Sequence, residues 1–479
     1  MINRTSLCFT VLSLSICHVS VSRAQSGGWS IPSSISEKTF SVDFPAMSIN
    51  GRGEIYVVWE STNQPPSDLK AQLFLATFNG ERWLPPLAIT DTGRMDWTPD
   101  IATDTLGNPH VVWEEDDSSE VYYQWFDGSR WSIPQNVSQD SGASYYPRIA
   151  IDHKNRVHVV WHDNTFSSWS VLYRYFDGVR WSPTINLSDT LIVSNFPRIC
   201  IDALDNLHVT FHSRTYPRLS EDVFYVNCQD GIWSKPTRIT MDSLSSHNPD
   251  IAVFKNELPL IVWAQVLLPW PLQRVLFSEL SPGGWEEPAA IADTSESTYP
   301  SVGIDFRDNV HLVWELRNRL NNPTRIMYSY FSNSQWSPPL DLTGVIGGSG
   351  RPTVKLDNKG NCHVVWASLD HGIYYTNLTS TVSVAQNREE VPNAIQLLQN
   401  YPNPFNSSTV IEYSLPKEDS ITLKVLDVLG REVKTLAFGK QPQGVHSITF
   451  EASELSSGIY FFQLRGQAQP ITKKMVLIR

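Results

Sequence analysis

Short apolar runs bounded by polar turn residues fill most of the chain, and they return at a fixed spacing. The block His-Val-Val-Trp occupies 110–113, 158–161 and 363–366. Aligning the matching aromatic of each copy gives Trp59, Trp113, Trp161, Phe211, Trp263, Trp314 and Trp366, 48 to 54 residues apart. In the third copy the runs are 147–152, 158–162, 171–178 and 181–187, each rich in β-branched and aromatic residues. That composition predicts four short strands per repeat, A to D. Strands in fours at this period predict a radial array of small sheets and not a domain with a single core.

The joints carry recognisable turn chemistry. Between strands A and B, Asp and Asn recur at fixed offsets: Asp104 with Asn108, Asp152 with Asn155, Asp202 with Asn206, Asp305 with Asn309, Asp357 with Asn361. Their short side chains bond to nearby backbone and tolerate left-handed conformations, so they read as turn formers and not as a metal site. Between C and D stand Phe78-Asn79-Gly80, Phe126-Asp127-Gly128 and Phe176-Asp177-Gly178, each followed by a Trp. These are hairpin signals. His110, His158, His208, His311 and His363 each open a strand B, and such regular recurrence predicts packing. The repeated Trp residues predict the core between sheets.

The seventh repeat, 352–378, has strands A to C and no D, whereas 27–32 reads Gly-Gly-Trp-Ser-Ile-Pro and matches the strand D of 128–134. The first strand of the mature chain is therefore expected to complete the last sheet. The result is an all-β, seven-bladed β-propeller spanning 25–378 with no free edge.

The N-terminus places the protein outside the cytoplasm. Arg4, the apolar run 7–17 and the small residues Ser22 and Ala24 predict a secretory signal peptide over 1–24. No later segment supplies the roughly 18 consecutive apolar residues of a spanning helix. The net charge of −12 becomes −14 once Arg4 and Arg23 leave, which speaks against nucleic acid as a partner. Cys200, Cys228 and Cys362 remain, an odd number on separated strands, and predict buried free thiols.

The repeats resemble the sialidase-like, Asp-box class of propellers, in which an Asp-Gly hairpin followed by Trp joins the third and fourth strands. The resemblance rests on runs such as Phe176-Asp177-Gly178-Val179-Arg180-Trp181 and covers 27–380. The Ser that precedes the Asp in that box is missing and Asp and Gly are adjacent, so the resemblance implies the fold and not sialidase activity.

A polar linker, 379–392, leads to a different object over 393–479. Here Tyr401-Pro402-Asn403-Pro404-Phe405-Asn406 is followed by Gly430-Arg431, Gly458-Ile459-Tyr460-Phe461 and Lys473-Lys474-Met475. Alternating apolar residues and regular turns predict a small Ig-like β-sandwich. In their order these motifs are similar to the type A C-terminal sorting domain of the bacterial type IX secretion system. The resemblance implies contact with that machinery, passage across the outer membrane, and a final place in the medium or on the surface of a Gram-negative cell.

No His-Glu-x-x-His, Gly-x-Ser-x-Gly, Cys-x-x-Cys or P-loop motif is present, so no catalytic residue, metal or cofactor is assigned. Positions that differ between otherwise regular repeats are the better candidates for chemistry. Strand A begins with Asp100, Arg148, Arg198, Asp250, Ser301 and Thr353 in successive repeats, while strand B ends with Glu60, Glu114, His162, His212, Ala264, Glu315 and Ala367. This pattern predicts Arg148 beside His162 and Arg198 beside His212 at one channel mouth, with Asp100 and Glu114 next to them. Tyr145 and Tyr146 stand on the adjoining connector. An arginine clamps a carboxylate with two bonds, so these eight residues suit recognition of an anionic sugar. The expected function is non-catalytic binding of a glycan or another surface protein.

The alternative is a polysaccharide-active enzyme. A uronate lyase would neutralise the carboxylate with Arg148 or Arg198 and use His162, His212 or a tyrosine as base. A retaining glycosidase would need Asp100 and Glu114 about 5 Å apart. A sialidase would need a third arginine, and Arg351, one residue before its proline, falls out of register with the other two. The loop 266–272 around Trp270 is apolar enough to be a contact patch.

Overall fold

The computed structural model describes residues 28–379, except 37–40, 63–69, 92, 167, 190, 215–219, 269–271, 318–323, 333–334, 345, 347–348, 369 and 371. It also describes 395–477, except 398–399, 401–404, 406–407, 442–443, 453–454 and 467–469. The signal peptide, the linker from 380 on, residues 401–404 and Trp270 lie outside the described residues. The described residues contain no helix, and the chain divides into two compact bodies, 1–382 and 383–479.

In the N-terminal body the repeats fold as antiparallel meanders. Ser144–Ile151, Val157–Asp163, Ser170–Phe176 and Ile185–Asn186 pair in that order as one four-stranded sheet. Every residue of Val157–Asp163 is buried, because a strand in the middle of a sheet covered on both faces has no solvent side. The turn before it follows from Asp152, whose Oδ1 accepts from the N–H groups of Lys154 at 2.9 Å and Arg156 at 2.7 Å. The histidines that open the second strands pack as expected. His158 Nδ1 meets Tyr173 Oη at 2.8 Å, and His110, His208, His311 and His363 meet Tyr123, Tyr225, Tyr328 and Tyr375 in the same way.

Two features differ from the pattern read in the sequence. The fourth strand is short, a bridge from Phe176 to Trp181 followed by Ile185–Asn186. The fifth and sixth meanders share one nine-stranded sheet, because their connector is itself extended as Ala289–Ile304.

The core lies between sheets. Val112, Val121 and Tyr123 of one meander pack with Ile149, Val159, Trp161 and Leu172 of the next. The first and last meanders do the same: Met47, Val57 and Trp59 share a cluster with Val365, Ala367 and Tyr375. The N-terminal segment pairs with the last meander, Ser33 opposite Tyr375 and Ser34 opposite Tyr374, with a further bridge from Trp29 to Leu378. Thr353 Oγ1 donates to Pro45 O at 3.0 Å across the same joint. Cys200, Cys228 and Cys362 are free thiols, and burial pushes the thiols of Cys200 and Cys362 well above the usual range.

The C-terminal body has two antiparallel sheets. One orders Gln396–Leu397, Ser408–Leu415 and Gly444–Glu451; the other orders Glu432–Gln441, Asp419–Leu426, Gly458–Arg465 and Ile471–Leu477. They share one core containing Phe405, Ile411, Tyr413, Phe450, Phe462 and Met475.

Trp29 is 9% exposed and meets the ring of Tyr328 edge-on at 4.8 Å. Trp29→Ala is expected to lower the unfolding free energy of the N-terminal body by about 3 kcal/mol, measured by urea denaturation. An unchanged midpoint would show that this segment does not hold the last sheet.

Candidate functional site

A cavity of about 160 Å³ lies where the first strands of the meanders come together. Its mouth is built by a feature that occurs in every repeat. Phe44, Thr98, Tyr146, Phe196, Asn248, Tyr299 and Arg351 each precede a proline, and each has a φ between 47° and 53°. Non-glycine residues rarely adopt this region, so their surroundings must hold them there. Each forms a bulge that shifts the pairing register of its strand, as between Tyr145 and Arg148.

Four of the bulges are held by the residue at the end of the second strand in the preceding meander. Glu60 Oε2 accepts from Thr98 N–H at 2.7 Å, Glu114 Oε2 from Tyr146 N–H at 2.7 Å, and Glu315 Oε2 from Arg351 N–H at 3.2 Å. His162 Nδ1 accepts from Phe196 N–H at 3.2 Å. Phe44 N–H is held instead by its own neighbour, Asp43 Oδ1, at 2.8 Å. The four acceptors from preceding meanders are buried, whereas Asp43 is partly exposed. Burial holds the Glu60 carboxyl well above the usual carboxylate range and raises Glu114, with the bonded amides acting the other way.

One residue past each proline lies a second ring. Asp100 Oδ2 accepts from Ile149 N–H at 3.0 Å and Asp250 Oδ2 from Val302 N–H at 2.9 Å. Between them Arg148 and Arg198 face the cavity, each with Nη1 on the carbonyl of its preceding proline, and Arg198 Nε lies 3.7 Å from Asp250. Burial and the nearby charge of Arg198 pull Arg148 down to about 10.

Of the residues singled out from the sequence, Asp100, Tyr146, Arg148 and Arg198 line the cavity together. Glu114, Tyr145, His162 and His212 stand behind the rim. The bulge is the reason that Arg148 does not sit opposite His162: Tyr145 does, while Arg148 opposes Val160. Likewise Asn195 opposes His212 and Arg198 opposes Thr210. His162 is enclosed by the rings of Tyr145, Tyr146, Trp169 and Phe196 at 5.2 to 6.2 Å, and burial pulls it down to about 3. A neutral imidazole whose Nδ1 accepts a bond carries its proton on Nε2. His212, also pulled down to about 3 by burial, keeps a buried Nδ1 with no partner.

Arg351, which looked out of register in the sequence, lines the same cavity. Its guanidinium lies 3.6 Å from the ring centre of Phe44 and 4.9 Å from that of Tyr299, with Nε 3.1 Å from Asp43 Oδ1. The signal was present, since Arg351 takes the pre-proline place that four other repeats give to an aromatic. Among the described residues no group of three or more His, Cys, Asp or Glu could hold a metal ion.

Comparison with solved structures finds proteins of similar fold. A family 25 polysaccharide lyase, an ulvan lyase bound to -[GlcA(1-4)Rha3S]-, matches 73% of this chain and 94% of its own with a TM-score of 0.52 and 11% identity. A fungal alcohol oxidase of the AA5 family, in complex with copper, matches 94% of this chain and 99% of its own at 0.50 and 9%. A microbial sialidase matches 73% and 68% at 0.41 and 10%. Likeness at such identity shows the fold alone. No curated protein matches the sequence. Residues 399–478 match the model of the secretion system C-terminal sorting domain family, so the C-terminal body carries an export signal.

The depressed His162 gives a pH test. The folded chain resists a proton that the unfolded chain takes up below about pH 6.5, so the contribution of neutral His162 is complete above that pH and is lost as pH falls toward about 3. His162→Gln keeps an acceptor for Phe196 N–H and does not titrate. It is expected to flatten the acid limb of unfolding free energy against pH by roughly one proton, ~1.4 kcal/mol per pH unit. An unchanged slope would mean that His162 titrates normally.

Proposed function

We propose that the N-terminal body is a seven-bladed propeller whose channel mouth binds an anionic sugar, and that the C-terminal body delivers it through type IX secretion to the cell surface or the medium. The propeller reading is supported by matched bulges in all seven repeats and by the shared core of the first and last meanders. The observation that carries the binding reading is that Arg148, Arg198 and Arg351 line one cavity with Tyr146 and Tyr299. Burial and the neighbouring charge of Arg198 both disfavour the Arg148 guanidinium, so a bound anion would offset a cost already present in the fold. The tyrosines and Phe196 supply faces for a sugar ring. A volume of about 160 Å³ suits one charged residue or chain end better than a threaded polymer, since sites that enclose larger ligands span roughly 300–1,000 Å³. The ulvan lyase of related fold is bound to a saccharide containing glucuronate, an acid of this class.

Binding is favoured over lyase or glycosidase chemistry by what the candidate bases are doing. Nδ1 of His162 is occupied by Phe196 N–H, and His212 Nδ1 is buried. Asp100 and Glu114, the candidate glycosidase pair, each hold a backbone N–H of the strand Ser144–Ile151.

Arg148→Ala with Arg198→Ala is expected to weaken binding of uronate-containing oligosaccharides by about 10- to 100-fold, the worth of a charge-assisted bond or two, with no turnover in either protein. Unchanged affinity would remove the site, and turnover by the wild-type protein that is lost in the double variant would establish the enzyme. Deleting 383–479 is expected to leave the propeller folded and retained in the periplasm of a host with type IX secretion, followed by fractionation. Normal display of the truncated chain would argue that the C-terminal body is only a stalk.

A further inference from the structure

Arg148, Arg198, Arg351 and Lys355 bring positive charge to the cavity. Two of them are matched in place, Arg198 by Asp250 at 3.7 Å and Arg351 by Asp43 at 3.1 Å. Arg148 and Lys355 form no ion pair with a carboxylate among the described residues. They stand at different depths. Arg148, one residue past its proline, opposes Val160, and its counterpart in the last repeat is Thr353, which opposes Val365. Lys355 comes two residues later, opposite His363, and so lies about 7 Å further along the strand direction. At that step the other repeats carry Ser48, Ala102, Ala150, Cys200, Ala252 and Gly303.

One long cation in a ring of small residues departs from the regular scaffold as Arg148 and Arg198 do. Lys355 is exposed, and both it and Cys200 line the cavity. Burial and Asp250 raise the Cys200 thiol while the charge of Lys355 acts the other way, so the ammonium extends toward the fourth meander. A cleft whose walls carry unmatched charge of one sign concentrates ligands of the other. We propose that Lys355 is a second anion subsite, and that the ligand is a sugar residue with two acid groups, one held at Arg148 and the other at Lys355. This rests on the reading of the cavity as an anionic-sugar site and adds how many acid groups are read and which residue reads the second. Acid groups on opposite substituents of one sugar ring can bridge such a step, and a single ring suits a cavity of about 160 Å³.

The test uses the full-length protein and a matched pair of probes, N-acetylglucosamine 6-sulfate with one acid group and N-sulfoglucosamine 6-sulfate with two. D-glucuronate reports on the cavity reading itself, and binding is measured by calorimetry. The wild-type protein is expected to bind the disulfated probe at least about tenfold more tightly than the monosulfated one. Lys355→Met keeps the length of the side chain and loses its charge. It is expected to abolish that preference and to leave affinity for the monosulfated probe within about twofold, whereas Lys355→Arg keeps the preference. Should Lys355→Met not fold, Lys355→Gln takes its place. Equal affinity of the wild-type protein for the two sulfated probes, or a preference that survives in the neutral variant, would overturn the second subsite and leave the cavity reading standing. A neutral variant that loses both probes to the same degree would also overturn it, because Lys355 would then act only through the general field of the channel. If the wild-type protein binds D-glucuronate and neither sulfated sugar, this inference falls alone; if it binds none of the three, the cavity reading falls with it.

Discussion

A four-stranded antiparallel sheet with two apolar faces can satisfy neither face alone. Each meander of the N-terminal body has two such faces, and its buried Trp or Phe is covered only when the next meander is laid against it. Stacking of this kind leaves a last face uncovered unless the series returns to its beginning. The first and last meanders meet for that reason, and the N-terminal segment supplies the strand that the final repeat does not encode.

The same constraint explains why hydrogen bonds cross the joints between sheets. Packing brings the end of each second strand against the bulge of the following first strand, where a backbone N–H is removed from water. Buried carboxylates are an expensive answer to that demand, as the raised Glu60 and Glu114 show. They hold residues such as Tyr146 at a φ that would otherwise relax, and the next residue but one, Arg148, lines the cavity. The rim and the charged ring of Asp100, Arg148, Arg198 and Asp250 are two consequences of one joint.

The fold was legible in the sequence because packing repeats. The Trp and Phe spacing, the Asp and Asn of the turns and the missing fourth strand of the seventh repeat are direct signatures of sheets that must match their neighbours. The site was legible only in part. Arg148, Arg198, Asp100 and Tyr146 stood out as departures from a regular scaffold, and all four line the cavity. His162 and Glu114 stood out for the same reason, yet their variation serves the joint, since a carboxylate and an imidazole are alternative acceptors for one amide. Arg351 was hidden because the bulge adds a residue to the strand, and counting along an ideal ladder places it outside the ring. A pre-proline residue at positive φ is not an event that propensity or periodicity announces.

The pairing of the two ends also sets the order in which the molecule can be assembled. Ser30 and Thr376, bonded across the closing joint, are 346 residues apart in the chain. Contacts between distant segments form late, because the loop between them must be ordered before they yield any stabilisation. The segment synthesised first is therefore the last to find its place. Until the seventh repeat has emerged, the series of meanders is open, with an unpaired edge exposed to aggregation.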